Sequence, residues 1–168
     1  MLEQFLGRDD FDILPHLVAI SLAYLLAVPI GWNREKTELS AGLRTFPLVA
    51  VASCGFIQAS ENLTADAPEA MARILQGLIA GMGFIGGGAI LQLKGSVKGT
   101  ATAASLWITG AIGASVALGS LDVAVMLSLI TMFTLWVMAP IKHMAPLHED
   151  ESDGKEKDGD EPADARDL

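Results

Sequence analysis

Cysteine, histidine and buried charge are what this chain has least of. One cysteine in 168 residues, Cys54, excludes an intrachain disulfide. The three histidines, His16, His143 and His148, show no metal-ligand spacing. Eleven basic residues against twenty acidic ones give a net charge of −9, the wrong sign for a nucleic-acid partner. No serine or cysteine stands beside a plausible general base, and no phosphate loop is present, so neither an enzyme nor a cofactor is expected. Within the long apolar stretches the sole acid is Asp122, at the edge of the last one. A buried magnesium site needs several oxygen ligands, carboxylates usually among them, and that shortage argues against one.

What the chain does have is hydrophobic length. Half of it (51%) is apolar, and its mean hydropathy is +0.43. This composition predicts an all-α integral membrane protein, a bundle of about five transmembrane helices. The expected spans are Ile13–Trp32, Phe46–Ser60, Ala70–Leu93, Thr100–Leu118 and Leu121–Ile141. The second covers only about 22 Å at ~1.5 Å per residue, so it is tilted, extends towards Leu63, or is a re-entrant half-helix. Thr45 is a candidate N-cap for it, with Pro47 in its first turn.

Residues 1–143 read as one membrane domain and 144–168 as an acidic, disordered tail. From His148 to Leu168 ten acids face three basic residues, a net of −7, whereas Met1–His143 carries only −2. A segment so charged and so poor in apolar residues cannot form a core. Met1–Asp12 is acidic and precedes a long apolar run, which does not read as a cleavable signal peptide.

Basic residues fix the expected orientation. Arg34, Lys36, Arg44, Lys94, Lys98 and Lys142 fall on one side, and only Arg8 and Arg73 on the other. The positive-inside rule puts the N-terminus outside and the C-terminus in the cytoplasm.

Glycine is the abundant residue. The run Gly77–Leu91, GLIAGMGFIGGGAIL, holds six of them. At a helical period Gly77, Gly81 and Gly88 share one side, and Gln76, Ala80, Gly83 and Gly87 the opposite side. Small residues let membrane helices approach closely. A helix small on two faces is expected at the centre of the bundle, clamped by two neighbours, with Gly86 also in its wall. Packing alone, or a path lined by bare backbone, are the two readings of this run. Gly83→Leu is expected to disrupt bundle packing or assembly.

The candidate active region is the first loop and its flank, GWNREKTELSAGLR (Gly31–Arg44). Arg34 and Glu38 are four apart, Glu35 adds a second acid, and Gly42 is a flexible joint before Arg44. Arg44 is expected to pair with Glu35 or Glu38, or to bind an anion. Arg44→Ala should abolish function without blocking insertion.

Three segments carry a resemblance: SAGLRTFPLVAV (Ser40–Val51), the glycine run, and KGTATAASLWITGAIG (Lys98–Gly113). In order and position they resemble the signature blocks of the MgtC/SapB family, bacterial inner-membrane proteins of about five spans. The resemblance implies adaptation to low magnesium, virulence-type stress, and regulation of other membrane complexes such as the rotary ATP synthase. Signature positions map to Arg34, Glu35, Gly42, Leu43, Arg44, Thr45, Gly81, Gly83, Gly86, Gly88, Thr102, Ala103 and Trp107. Departures are Asn33, where members often have an acid, and Phe46, where they often have His. The acidic tail also stands in place of the ACT-like domain found in many members, which implies a short member.

Two functions therefore stand. One is a non-catalytic regulator, with the lipid bilayer, other membrane proteins (ATP synthase or a transporter) and a second copy in a homodimer as partners. The alternative is a transporter or channel for a cation such as Mg2+, or for a small solute.

Overall fold

The computed structural model describes residues 13–36, 41–64, 67–93 and 96–144. The tail from residue 145 onwards, Glu38 and Lys94 lie outside these described residues.

Long apolar runs can satisfy their backbone in lipid only by bonding within themselves, which selects helices. Five form: α1 (Ile13–Glu35), α2 (Thr45–Thr64), α3 (Pro68–Gly88), α4 (Thr100–Ala117) and α5 (Leu121–Met144). Between α3 and α4 lies a small hairpin of β1 (Leu91–Leu93) and β2 (Ser96–Lys98), antiparallel, with Gln92 opposite Val97. Helices α1, α3 and α4 are long and apolar enough to cross a membrane, and α5 contributes the apolar stretch Leu121–Val137.

Several boundaries differ from the apolar windows, those of α2 and α3 for identifiable reasons. Helix α2 is one continuous helix of 20 residues, about 30 Å long, rather than 15 residues or a half-helix. Its polar end holds because hydroxyls bond back to the helix itself: Ser60 Oγ donates to the Ile57 carbonyl at 2.7 Å and Thr64 Oγ1 to Ser60 at 3.0 Å. Helix α3 begins earlier, at Pro68, where a missing N–H is harmless and Glu69 faces the positive helix end. It also ends earlier, at Gly88 rather than Leu93. Three consecutive glycines weaken the last turn, and Leu91–Leu93 pairs into the hairpin instead. Gly99 leads from that hairpin into α4 at φ +88°, where a Cβ would overlap the Ala89 carbonyl oxygen, so only glycine fits.

The centre of the bundle is α4, not the glycine-rich helix. Helix α4 packs against each of the other four. Its buried positions run from Thr102 to Val116 and cover about half of its circumference, with small residues at the tight crossings and Leu106 and Ile112 filling the space between. Helix α3 packs chiefly on α4 and α2. Of its glycines only Gly86 is buried, with Ala103 of α4 beneath it. Small residues permit close approach without compelling it, so glycine density alone did not locate the centre.

The core itself joins Ala23, Ala27 and Ile30 of α1 to Phe46, Ala50 and Cys54 of α2 and to Ile112 of α4. Cys54 is a free thiol serving as a small hydrophobe. The buried hydroxyls Ser105 and Thr109 donate to carbonyls one turn back, at 2.7 and 2.8 Å. Ser128 Oγ instead crosses from α5 to the Leu26 carbonyl of α1, at 2.8 Å. Helix-to-helix bonds of this kind in membranes contribute about 0.6 kcal/mol on average.

Candidate functional site

The end of α1 and the start of α2 make a tight corner. Thr45 and Phe46 both donate their N–H to the Gly42 carbonyl, at 3.0 and 3.2 Å. The Leu43 N–H donates to Glu35 Oε2 at 2.9 Å, so the last residue of α1 holds the loop that opens α2. A carboxylate on free N–H groups at a helix start is favoured by both hydrogen bonding and the helix dipole. Gly42 leaves room for the Glu35 carboxylate, which a Cβ there would displace. The Thr45 side chain therefore does not cap α2 as expected; the Gly42 carbonyl and Glu35 do that work. Phe46 lies fully buried at this corner, packed against Gly31.

The expected ion pair between Arg44 and Glu35 is not made. Arg44 is exposed and has no ion pair among the described residues. Glu35 instead accepts the Leu43 N–H. Arg34 is half-buried, and its Nη2 donates to Asn33 Oδ1 at 3.3 Å. Its proposed partner Glu38 lies outside the described residues.

Arg44 instead stands at one end of a groove of about 860 Å³ between α2 and α3. The short link from Thr64 to Pro68 makes these helices antiparallel neighbours. Arg44, Thr45 and Leu48 thus share an end with Phe84 and Ile85, and Ser60 shares the other end with Ile74. Gly77 and Gly81 form part of one wall, and nothing lies within 4 Å of where their Cβ atoms would be. Ser53, almost fully buried in the floor, has no hydrogen-bond partner for its hydroxyl among the described residues.

The other expected path residues separate. Gly83, Gly87 and Gly88 are exposed with open space around them. Thr102 is buried on α4 and Trp107 is exposed on the same helix. No group of three or more His, Cys, Asp or Glu side chains comes together among the described residues. The groove itself had a signal in the sequence that composition hides. Arg44, Leu48, Ala52, Phe56 and Ser60 recur every fourth residue, one ridge of α2 with a charge at its end.

Apolar helices in a bundle, with acids only near helix ends among the described residues, define an integral membrane protein. The chain belongs to the MgtC family, whose model matches residues 20–144. It is similar to Protein SrpB of Synechococcus elongatus, 36% identical over 140 residues, which cover 76% of this chain and 77% of that protein. It is also similar to Protein MgtC of Salmonella typhimurium, 37% identical over 105 residues, or 62% of this chain and 44% of that protein. Protein MgtC of Brucella abortus is 32% identical over 127 residues, 76% of this chain and 51% of that protein. The chain thus spans about half the length of these MgtC relatives. No solved structure matches it.

Proposed function

We propose that this protein is a non-catalytic regulator of the bacterial inner membrane, acting on other membrane proteins under low magnesium or virulence-type stress. The observation that carries this reading is the outer face of α3. Gln76, Ala80, Gly83 and Gly87 are all exposed, and a Cβ on either glycine would meet nothing within 4 Å. Such a face admits the backbone of a foreign helix closely, as small-residue stripes do in membranes. The rotary ATP synthase, a transporter and a second copy are the partners of suitable architecture. The basic residues Arg34, Lys36, Arg44 and Lys98 support an orientation with the N-terminus outside and the C-terminus in the cytoplasm.

Charge placement supports a regulator over a magnesium path. The acids of the described helices, Glu35, Glu61, Glu69 and Asp122, sit at or near helix ends, so the apolar mid-sections offer no carboxylate ligand. The experiment is photocrosslinking from position 83 in living membranes, together with growth at low magnesium. A crosslink to a membrane complex that Gly87→Leu abolishes, with loss of low-magnesium growth, supports the regulator. Magnesium or proton flux in liposomes that Arg44→Ala abolishes overturns it in favour of the transporter.

A further inference from the structure

The α2–α3 groove has a shape, a lining and a charge that select one kind of molecule. From Arg44 to Ser60 it runs sixteen residues of α2, about 24 Å at ~1.5 Å per residue. One leaflet of a bilayer core is about 15 Å deep, so a single acyl chain fits within that length. Dividing 860 Å³ by this length leaves a mean section of about 36 Å². The walls are hydrocarbon from Leu48 and Phe56 on one side to Leu78 and Ile85 on the other. Gly77 and Gly81 create the room, because any side chain there would project into open space along the wall.

The mouth is cationic. Arg44 is exposed and unpaired among the described residues, and the positive end of the α2 dipole lies beside it. Glu35 accepts the Leu43 N–H and makes no ion pair with Arg44 among the described residues. A guanidinium at a helix start above a narrow apolar slot is complementary to a phosphate with a chain attached. We propose that the groove is a binding site for one anionic phospholipid, its phosphate on Arg44 and one acyl chain laid between α2 and α3. This site is separate from the outer face of α3 and stands whether or not that face docks a partner.

The test uses the full chain purified in mild detergent, with lipid binding read by native mass spectrometry and by thermal shift. The probes are phosphatidylglycerol, phosphatidylcholine and inorganic phosphate. One phosphatidylglycerol per chain is expected, about tenfold tighter than phosphatidylcholine, as a charge-assisted contact gives. Arg44→Gln should remove that preference and Arg44→Lys should keep most of it. Gly81→Phe should fill the slot and abolish retention of both lipids without changing the melting of the lipid-free protein. Equal binding of the two lipids, or a preference that survives Arg44→Gln, overturns the proposal. So does inorganic phosphate that displaces the lipid at equal concentration, which would indicate a soluble-anion site. Disulfide crosslinking of two Ala52→Cys copies across the groove also overturns it, since a second copy would then be the occupant.

Discussion

The crossing of α2 and α4 and the outer face of α3 are both built from glycine, and glycine does opposite things in them. At the crossing, Gly113 faces the backbone of Ala50, and a Cβ there would overlap the Ala50 carbonyl oxygen. On α3, Gly77, Gly81, Gly83, Gly87 and Gly88 have nothing within 4 Å of the same hypothetical atom. The first set of contacts is spent inside the fold. The second is an unused capacity for close approach, which a ligand or a partner helix can take up. A glycine in a membrane helix is therefore informative only together with what it faces.

The comparison breaks most severely at Gly113. Gly113→Ala should cost about 3 kcal/mol, because rigid backbone on both sides must separate to admit the methyl group. Unfolding in detergent by denaturant titration would measure it; a loss under about 0.5 kcal/mol would show that the crossing is looser than its geometry. Next comes Gly42→Ala, expected to cost about 2 kcal/mol through overlap with Glu35. Glu35→Ala alone removes the bond to Leu43 and should cost about 1 kcal/mol, like the loss of a helix cap. The double variant should lose less than the sum, since the shortened side chain makes room for the new methyl group. A double-mutant cycle giving strict additivity would remove Glu35 as the reason for Gly42. The smallest effect belongs to Gly83→Ala, where stability should stay unchanged or rise by up to about 1 kcal/mol from helix propensity. Gly83→Leu should likewise leave the packing of the fold intact, because nothing lies within 4 Å of a Cβ there, and should act on assembly alone. Size-exclusion profiles and melts run side by side separate the two.

The sequence was legible where one physical effect dominates. Apolar length in Ile13–Trp32 or Leu121–Ile141 forces a helix whatever lies beside it. Helix ends were less legible, because Glu61 and Asn62 look like the close of α2 although the helix runs to Thr64. The hairpin was hidden because two three-residue strands leave no periodic trace, and their pairing depends on a turn that apolar windows ignore. Arg44 and Glu35 were visible as unusual charges beside a membrane. What Glu35 does was not, since its hydrogen-bond partner lies eight residues away across a loop. The groove depends on which ridge of α2 meets which ridge of α3, and that is a property of two helices rather than of either sequence alone.

The bond from Ser128 to the Leu26 carbonyl bears on how the protein is made. It ties the last described helix to the first across 102 residues. The helix that touches all the others, α4, is the fourth of the five to leave the ribosome. Until it arrives, α1, α2 and α3 have only the α1–α2 and α2–α3 contacts, and Gly86 lacks the Ala103 backbone that it packs on. Assembly of this bundle is thus completed late, when α4 joins those helices and α5 closes on them. A chain stalled after the hairpin would hold part of the core without the helix that unites it.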